Sequence, residues 1–149
     1  MKIVIDADGC PVVHLTLQIA KSYRIPCTVV CDTAHSFPEL DAQVITVSKG
    51  ADSADFRIVN LLNPKDIVVT QDYGLAAMCL ARGARALNQN GLIFDKQNMD
   101  SLLLSRHIHK KQRMAGVHLK GAKKRDAVQN QHFEAALIQL LKETDKNKN

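Results

Sequence analysis

The chain has 149 residues, of which 46% are hydrophobic, and its formal net charge is +5. This length suits one domain with a sizeable core, and the composition is that of a globular protein and not of a disordered or fibrous one. No apolar run approaches the roughly 18 residues that cross a bilayer, and the N-terminus lacks a secretory signal, so we expect no membrane partner and a cytoplasmic location.

The first 90 residues alternate between predicted strands and helices. The apolar run at positions 3–5 predicts a buried strand of the parallel type. Alternating strands and helices favour an α/β fold of three layers, with a central, mostly parallel sheet and helices on both faces. After the first strand, the predicted elements are a helix over 11–23, strands over 28–31 and 44–47, a helix over 53–62, a strand over 67–70, a helix over 75–81 and an edge strand over 84–87.

The last third of the chain is predicted to be helical. Helical spacing covers 99–107 and 127–141, and a basic, glycine-containing segment over 110–124 joins the two. Residues from about 143 to 149 are polar, which predicts a flexible tail. No linker divides the chain, so we expect residues 1–149 to form a single domain. The four cysteines lack C-x2-C spacing, which argues against a structural zinc site.

Aspartates follow three of the predicted strands. Because parallel strands end at the same edge of a sheet, these side chains are expected to converge on one cleft. Each group also has a structural explanation, since Asp is common in turns and is favoured at helix N-termini. The candidates are Asp6 and Asp8 after the first strand, Asp52 and Asp55 after the third, and Asp72 after the fourth.

Converging carboxylates repel one another. Two of them about 5 Å apart cost about 3 kcal/mol at an effective dielectric constant near 20. A divalent cation removes this cost, and ligands that are all oxygens favour Mg²⁺ or Mn²⁺. Thr70 closes the fourth strand and is a candidate to orient a ligating carboxylate or a water, although strand propensity alone also explains a Thr there.

Acidic and basic residues are segregated along the chain. Residues 1–100 hold 9 Lys and Arg against 11 Asp and Glu, whereas residues 101–149 hold 11 against 4. A basic segment suits a phosphate-rich partner, and the absence of aromatic residues between positions 106 and 125 indicates phosphate contact without base stacking. The alternative is a solvated basic face. The nucleic-acid-binding candidates are Lys110, Lys111, Arg113, Lys120, Lys123 and Lys124.

Several of these segments together resemble the YaiI/YqxD family, bacterial proteins of unknown function placed in the PIN-like nuclease superfamily. The resemblance covers nearly the whole chain and rests on residues 6–11, 50–55, 70–76, 83–88 and 125–133. Gly9 stands where the family usually has a second Ala, and Gly74 where Pro is common. The resemblance implies a PIN-like fold and a metal-dependent nuclease site formed by Asp6, Asp8, Asp52, Asp55 and Asp72.

These observations predict a ribonuclease that depends on Mg²⁺ or Mn²⁺, with RNA as the expected partner and an oligomer left open. One alternative is a phosphatase of the haloacid dehalogenase type, in which Asp6 attacks phosphorus and Asp8 protonates the leaving group. That superfamily also needs an acidic pair after the fourth strand, where Asp72 stands alone. A second alternative is a non-catalytic RNA-binding module.

Overall fold

The computed structural model describes residues 1–32, 40–50, 53–117 and 124–146. Strands and helices alternate along these ranges as far as α3, as predicted, except that the second and third strands follow one another without a described helix between them. The elements are β1 (Ile3–Asp6), α1 (Val13–Ser22), β2 (Cys27–Asp32), β3 (Gln43–Val47), α2 (Ser53–Leu61), β4 (Ile67–Val69), α3 (Tyr73–Ala81), β5 (Arg85–Leu87), β6 (Ile93–Phe94), α4 (Lys96–Met114) and α5 (Ala127–Lys146).

The six strands form one sheet in the order β3-β2-β1-β4-β5-β6. Every pair is parallel except β5 with β6. Successive side chains of β1 pack on opposite faces: Ile3 and Ile5 join a cluster with residues of α1 and α5, while Val4 joins Ile58 of α2 and Leu75 of α3. The predicted α/β class, with a central, mostly parallel sheet between two helical layers, is therefore confirmed.

The strand predicted over 84–87 does not lie at the edge of the sheet. β6 pairs with its outer side, with Ala86 opposite Phe94. β6 has only two residues, too few for a periodic pattern to be visible in the sequence. The turn between β5 and β6 contains Gly91, whose φ of +86° suits glycine.

α4 is longer than the helix predicted over 99–107. It starts at a capping box, in which Asp95 accepts from the Asn98 amide and the Asn98 side chain accepts from the Asp95 amide. It continues to Met114, because no Gly or Pro interrupts it before Gly116, which has a φ of +84°. Residues 110–114, the first part of the predicted basic connecting segment, are therefore helical. None of the described helices has the length and apolarity that crossing a bilayer would require.

α5 continues through part of the predicted polar tail. Thr144 is buried, and its hydroxyl donates to Leu140 O at 2.9 Å. Glu143 pairs with Arg85 of β5 at 2.9 Å. These contacts hold Glu143 and Thr144 in α5, which runs to Lys146 and so includes the first part of the segment predicted as a flexible tail. Residues 147–149 lie outside the described part of the chain.

Candidate active site

An open cleft of about 490 Å³ lies at the carboxyl ends of β1 and β4, beside the first turns of α2 and α3. It brings together four of the five predicted aspartates, which arrive from three separate segments of the chain. The fifth, Asp52, lies outside the described residues. The residues that line the cleft are Asp6, Asp8, Gly9, Ala54, Asp55, Gln71, Asp72, Tyr73 and Arg106.

Asp6 is the last residue of β1 and is partly buried. Its Oδ2 accepts a hydrogen bond of 2.8 Å from the Thr70 hydroxyl, just beyond the end of β4. The two strands are paired in register, with Ile5 opposite Val69, so their next residues are neighbours. The Thr70 hydroxyl also accepts from the Asp72 amide at 3.0 Å. Thr70 thus contacts both Asp6 and Asp72, and its role in orienting a metal-binding carboxylate stays a prediction.

The surroundings of Asp6 raise its pKa from 3.8 to about 6. Burial is the largest cause, because it disfavours the charged carboxylate. The negative charges of Asp55, Asp8 and Asp72 raise the pKa further, while the hydrogen bond from Thr70 lowers it. The other three acids are therefore close enough to Asp6 to repel its negative charge.

Asp8 and Asp72 are fixed by backbone amides. Both carboxylate oxygens of Asp8 accept from the Asp32 amide at the end of β2, at 3.1 and 3.3 Å. Ala7 N donates to Val30 O, so pairing with β2 continues beyond Asp6. Asp72 caps α3, its Oδ1 accepting from Leu75 N at 3.1 Å. These two acids therefore have structural roles as well as positions in the cleft.

The structure adds Arg106 to the cleft. Arg106 is not among the candidates predicted from the sequence, because the helix predicted there ends at 107 and its direction relative to the sheet depends on tertiary packing. A signal was present, since Arg106 follows Leu102 by four residues and Met99 by seven, which places all three on one side of a helix. Gln71 also bridges two loops of the cleft, its Nε2 donating to Gly9 O at 2.8 Å.

The donors in the cleft are carboxylate oxygens, which suit Mg²⁺ or Mn²⁺. Across residues 1–32, 40–50, 53–117 and 124–146, no three His, Cys, Asp or Glu side chains lie close enough together to enclose a cation. Mg²⁺ does not need such a cage, because it is commonly held by one or two carboxylates together with waters and substrate phosphates. The described residues fit that mode of binding.

The predicted nucleic-acid-binding residues are distributed between α4 and the segment that follows it. Lys110, Lys111 and Arg113 are exposed on the second half of α4, and Lys124 is exposed shortly before α5. Lys120 and Lys123 lie outside the described residues. The described members of this basic segment are therefore divided between α4 and the residues just before α5.

Comparison with known proteins gives a match to a family model over residues 4–143, described as "Uncharacterized BCR, YaiI/YqxD family". A UPF0178 protein of Exiguobacterium sibiricum is 50% identical over 143 residues, covering 96% of this chain and 98% of that protein. One from Clostridium acetobutylicum is 43% identical, covering 95% and 97%. A crystal structure of Rae1 (YacP) from Bacillus subtilis, solved as a mutant, aligns with a TM-score of 0.45 and 17% identity over 90% of this chain and 91% of that one.

Proposed function

This chain belongs to the YaiI/YqxD family, and we propose that it is a metal-dependent ribonuclease that hydrolyses phosphodiester bonds in the cleft at the ends of β1 and β4. One observation carries the proposal: burial of Asp6, together with the negative charges of three further carboxylates, raises the pKa of Asp6 to about 6. Repulsion between carboxylates this close lowers the stability of the native state unless a cation is bound. Carboxyl groups with perturbed pKa values are also concentrated at functional sites.

The proposed ligands of Mg²⁺ or Mn²⁺ are drawn from Asp6, Asp8, Asp55 and Asp72, one or two of which would bind the ion directly while the others act through its bound waters. Asp52 remains a predicted ligand outside the described residues. When bound, the ion would activate a water and offset the charge that develops on the leaving oxygen. Thr70 holds the Asp6 carboxylate in place, and the cap of α3 holds Asp72. These contacts would limit the motion of the donors when a substrate enters.

The expectation of RNA as substrate rests on charge. A polyanion approaching the cluster of carboxylates is repelled, so binding requires cations nearby. Arg106 lines the cleft itself, and the rest of α4 carries further basic side chains. Phosphate contacts of this kind attract nucleic acid without selecting a sequence.

The test uses the purified full chain with a pool of RNAs and, separately, a small phosphomonoester, each with and without Mn²⁺. The variants are Asp6→Asn, Asp72→Asn and, as a matched control, Asp145→Asn, which removes an exposed acid near the end of α5. We expect cleavage of RNA only with the metal, a loss of at least about 100-fold in Asp6→Asn and Asp72→Asn, and wild-type activity in Asp145→Asn.

Cleavage that persists in Asp6→Asn, or after complete removal of metal, would contradict the proposal. Hydrolysis of the phosphomonoester through a covalent phosphate on Asp6 would instead support the phosphatase alternative. Salt-sensitive RNA binding without any cleavage, unchanged in Asp6→Asn, would support the non-catalytic module.

A further inference from the structure

The second half of α4 projects from the body of the protein. Its first half is anchored by Met99, which is 5% exposed and belongs to a cluster with Ala76, Ala86 and Phe94, and by Leu102, which packs against that cluster. From Leu103 to Met114, by contrast, every side chain is exposed. A helix without an apolar anchor over this length is held by its own hydrogen bonds and is free to contact a partner.

The side of α4 that faces the protein changes from apolar to cationic along its length. Residues three and four apart share one side of a helix, so the side that begins with Met99 continues with Arg106, Lys110 and Arg113. Arg106 lines the acidic cleft, which shows the direction in which this side points. We call these three residues the inner stripe.

Lys111, predicted from the sequence to bind nucleic acid, lies on the other side of α4, and we exclude it from the path of a strand that follows the inner stripe. At 100° per residue it is about 140° away from Arg106, in line with the exposed Leu104 and Ile108. The two adjacent lysines therefore have similar exposure and charge but different directions. No residue of the inner stripe forms an ion pair within the part of the chain that the structure describes.

We propose that the inner stripe binds the sugar–phosphate backbone of one nucleic-acid strand as it leaves the acidic cleft. Arg106 and Arg113 are seven residues apart, or about 10 Å along the helix axis, so the inner stripe is long enough to contact more than one phosphate of a strand. A cleft of about 490 Å³ admits part of one strand. We therefore expect it to take one strand in preference to a duplex, whose major groove alone is about 12 Å wide.

We expect the inner stripe to bind the phosphates of a strand without distinguishing its bases. α4 has no aromatic residue from Lys96 to Met114 on which a base would stack. Arginine and lysine contacts to phosphates position a strand without distinguishing its bases. The proposal rests on the proposed function for the expectation that the strand is RNA, whereas the phosphate chemistry applies equally to single-stranded DNA.

The experiment measures binding of fluorescent oligouridylate, oligothymidylate and a DNA duplex in EDTA, where no metal is present, over a range of salt concentrations. Single variants Arg106→Gln, Lys110→Gln and Arg113→Gln are compared with Lys111→Gln as the matched control. Each lost phosphate contact reduces the salt slope by about 0.7, which corresponds to about fivefold weaker binding at 0.1 M salt. All four positions are exposed, and thermal unfolding verifies that each variant is folded.

We expect the three inner-stripe variants to bind both single strands more weakly with a lower salt slope, Lys111→Gln to bind as the wild type does, and the duplex to bind more weakly than either strand. Equal losses for Lys110→Gln and Lys111→Gln, or preferred binding of the duplex, would overturn the inference. Its failure is distinguishable from that of the proposed function. If strand binding depends on the inner stripe but no metal-dependent cleavage is found, the result contradicts the proposed ribonuclease function and leaves the inference about the inner stripe intact.

Discussion

The Thr70 hydroxyl donates a 2.8 Å hydrogen bond to Asp6 Oδ2 and so ties the end of β4 to the carboxylate at the end of β1. The same oxygen accepts from the Asp72 amide, so one hydroxyl positions two acids of the cleft. Thr70 is only 1% exposed, so water does not compete with its hydroxyl for these two hydrogen bonds. A neutral hydroxyl can orient a carboxylate in this way without neutralising it.

Replacing Thr70 by Val removes this hydroxyl while keeping the shape of the side chain. The hydrogen bond lowers the pKa of Asp6, so we expect that pKa to rise in Thr70→Val. The free energy of unfolding should fall by about 1–3 kcal/mol, because the Asp72 amide loses its acceptor. NMR titration of the Asp6 carboxyl and the pH profile of cleavage measure the effect. Thr70→Ser is the control, since it keeps the hydroxyl, and a pKa unchanged in Thr70→Val would contradict the assigned role.

Because the pKa of Asp6 is raised in the native state, ionisation of Asp6 lowers the free energy of unfolding. Between its unfolded value of about 4 and its folded value of about 6, the native state binds more protons than the unfolded state, so stability falls as pH rises. Asp6→Asn keeps an acceptor for Thr70 but carries no charge. Without divalent metal, we expect Asp6→Asn to be about 1–2 kcal/mol more stable than wild type at pH 8, after allowance for solvent screening, with the difference vanishing near pH 4.

Addition of Mn²⁺ should make the wild type more stable than Asp6→Asn at pH 8. A cation that binds the native wild type stabilises it by mass action, and Asp6→Asn loses that gain together with the ligand. Thermal and urea unfolding at pH 4, 6 and 8, with Mn²⁺ or EDTA, measure both parts. A variant less stable than wild type in EDTA at pH 8 would contradict the electrostatic account. Equal stabilisation of both proteins by Mn²⁺ would argue against Asp6 as a ligand.

The parts of the site that the sequence predicted depend on local signals. The apolar run before Asp6 marks a buried strand, and parallel pairing carries Asp6 and Asp72 to the same edge whatever the rest of the fold does. The position of Arg106 in the cleft could not be predicted from local signals. Its place in the cleft depends on the length of α4 and on how Met99 packs against the sheet, and neither is visible in the residues around position 106. The two-residue β6 was missed for a similar reason, because its pairing with β5 is a tertiary contact.

Asp72 combines a charge with a helix cap, and two substitutions separate them. Asn is as good a cap as Asp, so Asp72→Asn should keep the bond to Leu75 N and the stability of α3 while removing the negative charge. Asp72→Ala loses both and should cost about 1 kcal/mol. We expect cleavage to be lost in both variants but stability to fall only in the second, as measured by urea unfolding beside the RNA assay. Full cleavage by Asp72→Asn would show that Asp72 acts only as a cap.

The packing of α5 against the turn between β5 and β6 depends on Gly91. A Cβ at this position would lie 2.4 Å from His132 O and 3.0 Å from Phe133 N, both in the backbone of α5. Phe133 is fully buried in the cluster that covers one face of the sheet, so α5 cannot move aside without opening the core.

Gly116 provides the matched control for this contact. Its φ of +84° is almost that of Gly91, at +86°, but a Cβ there would meet nothing within 4 Å. Gly116→Ala should therefore cost only the backbone strain, about 1–2 kcal/mol. Gly91→Ala adds the collision with α5, and we expect a total loss of about 3 kcal/mol or more in the free energy of unfolding. Urea unfolding of both variants measures the difference, and equal losses would mean that α5 does not approach the turn so closely.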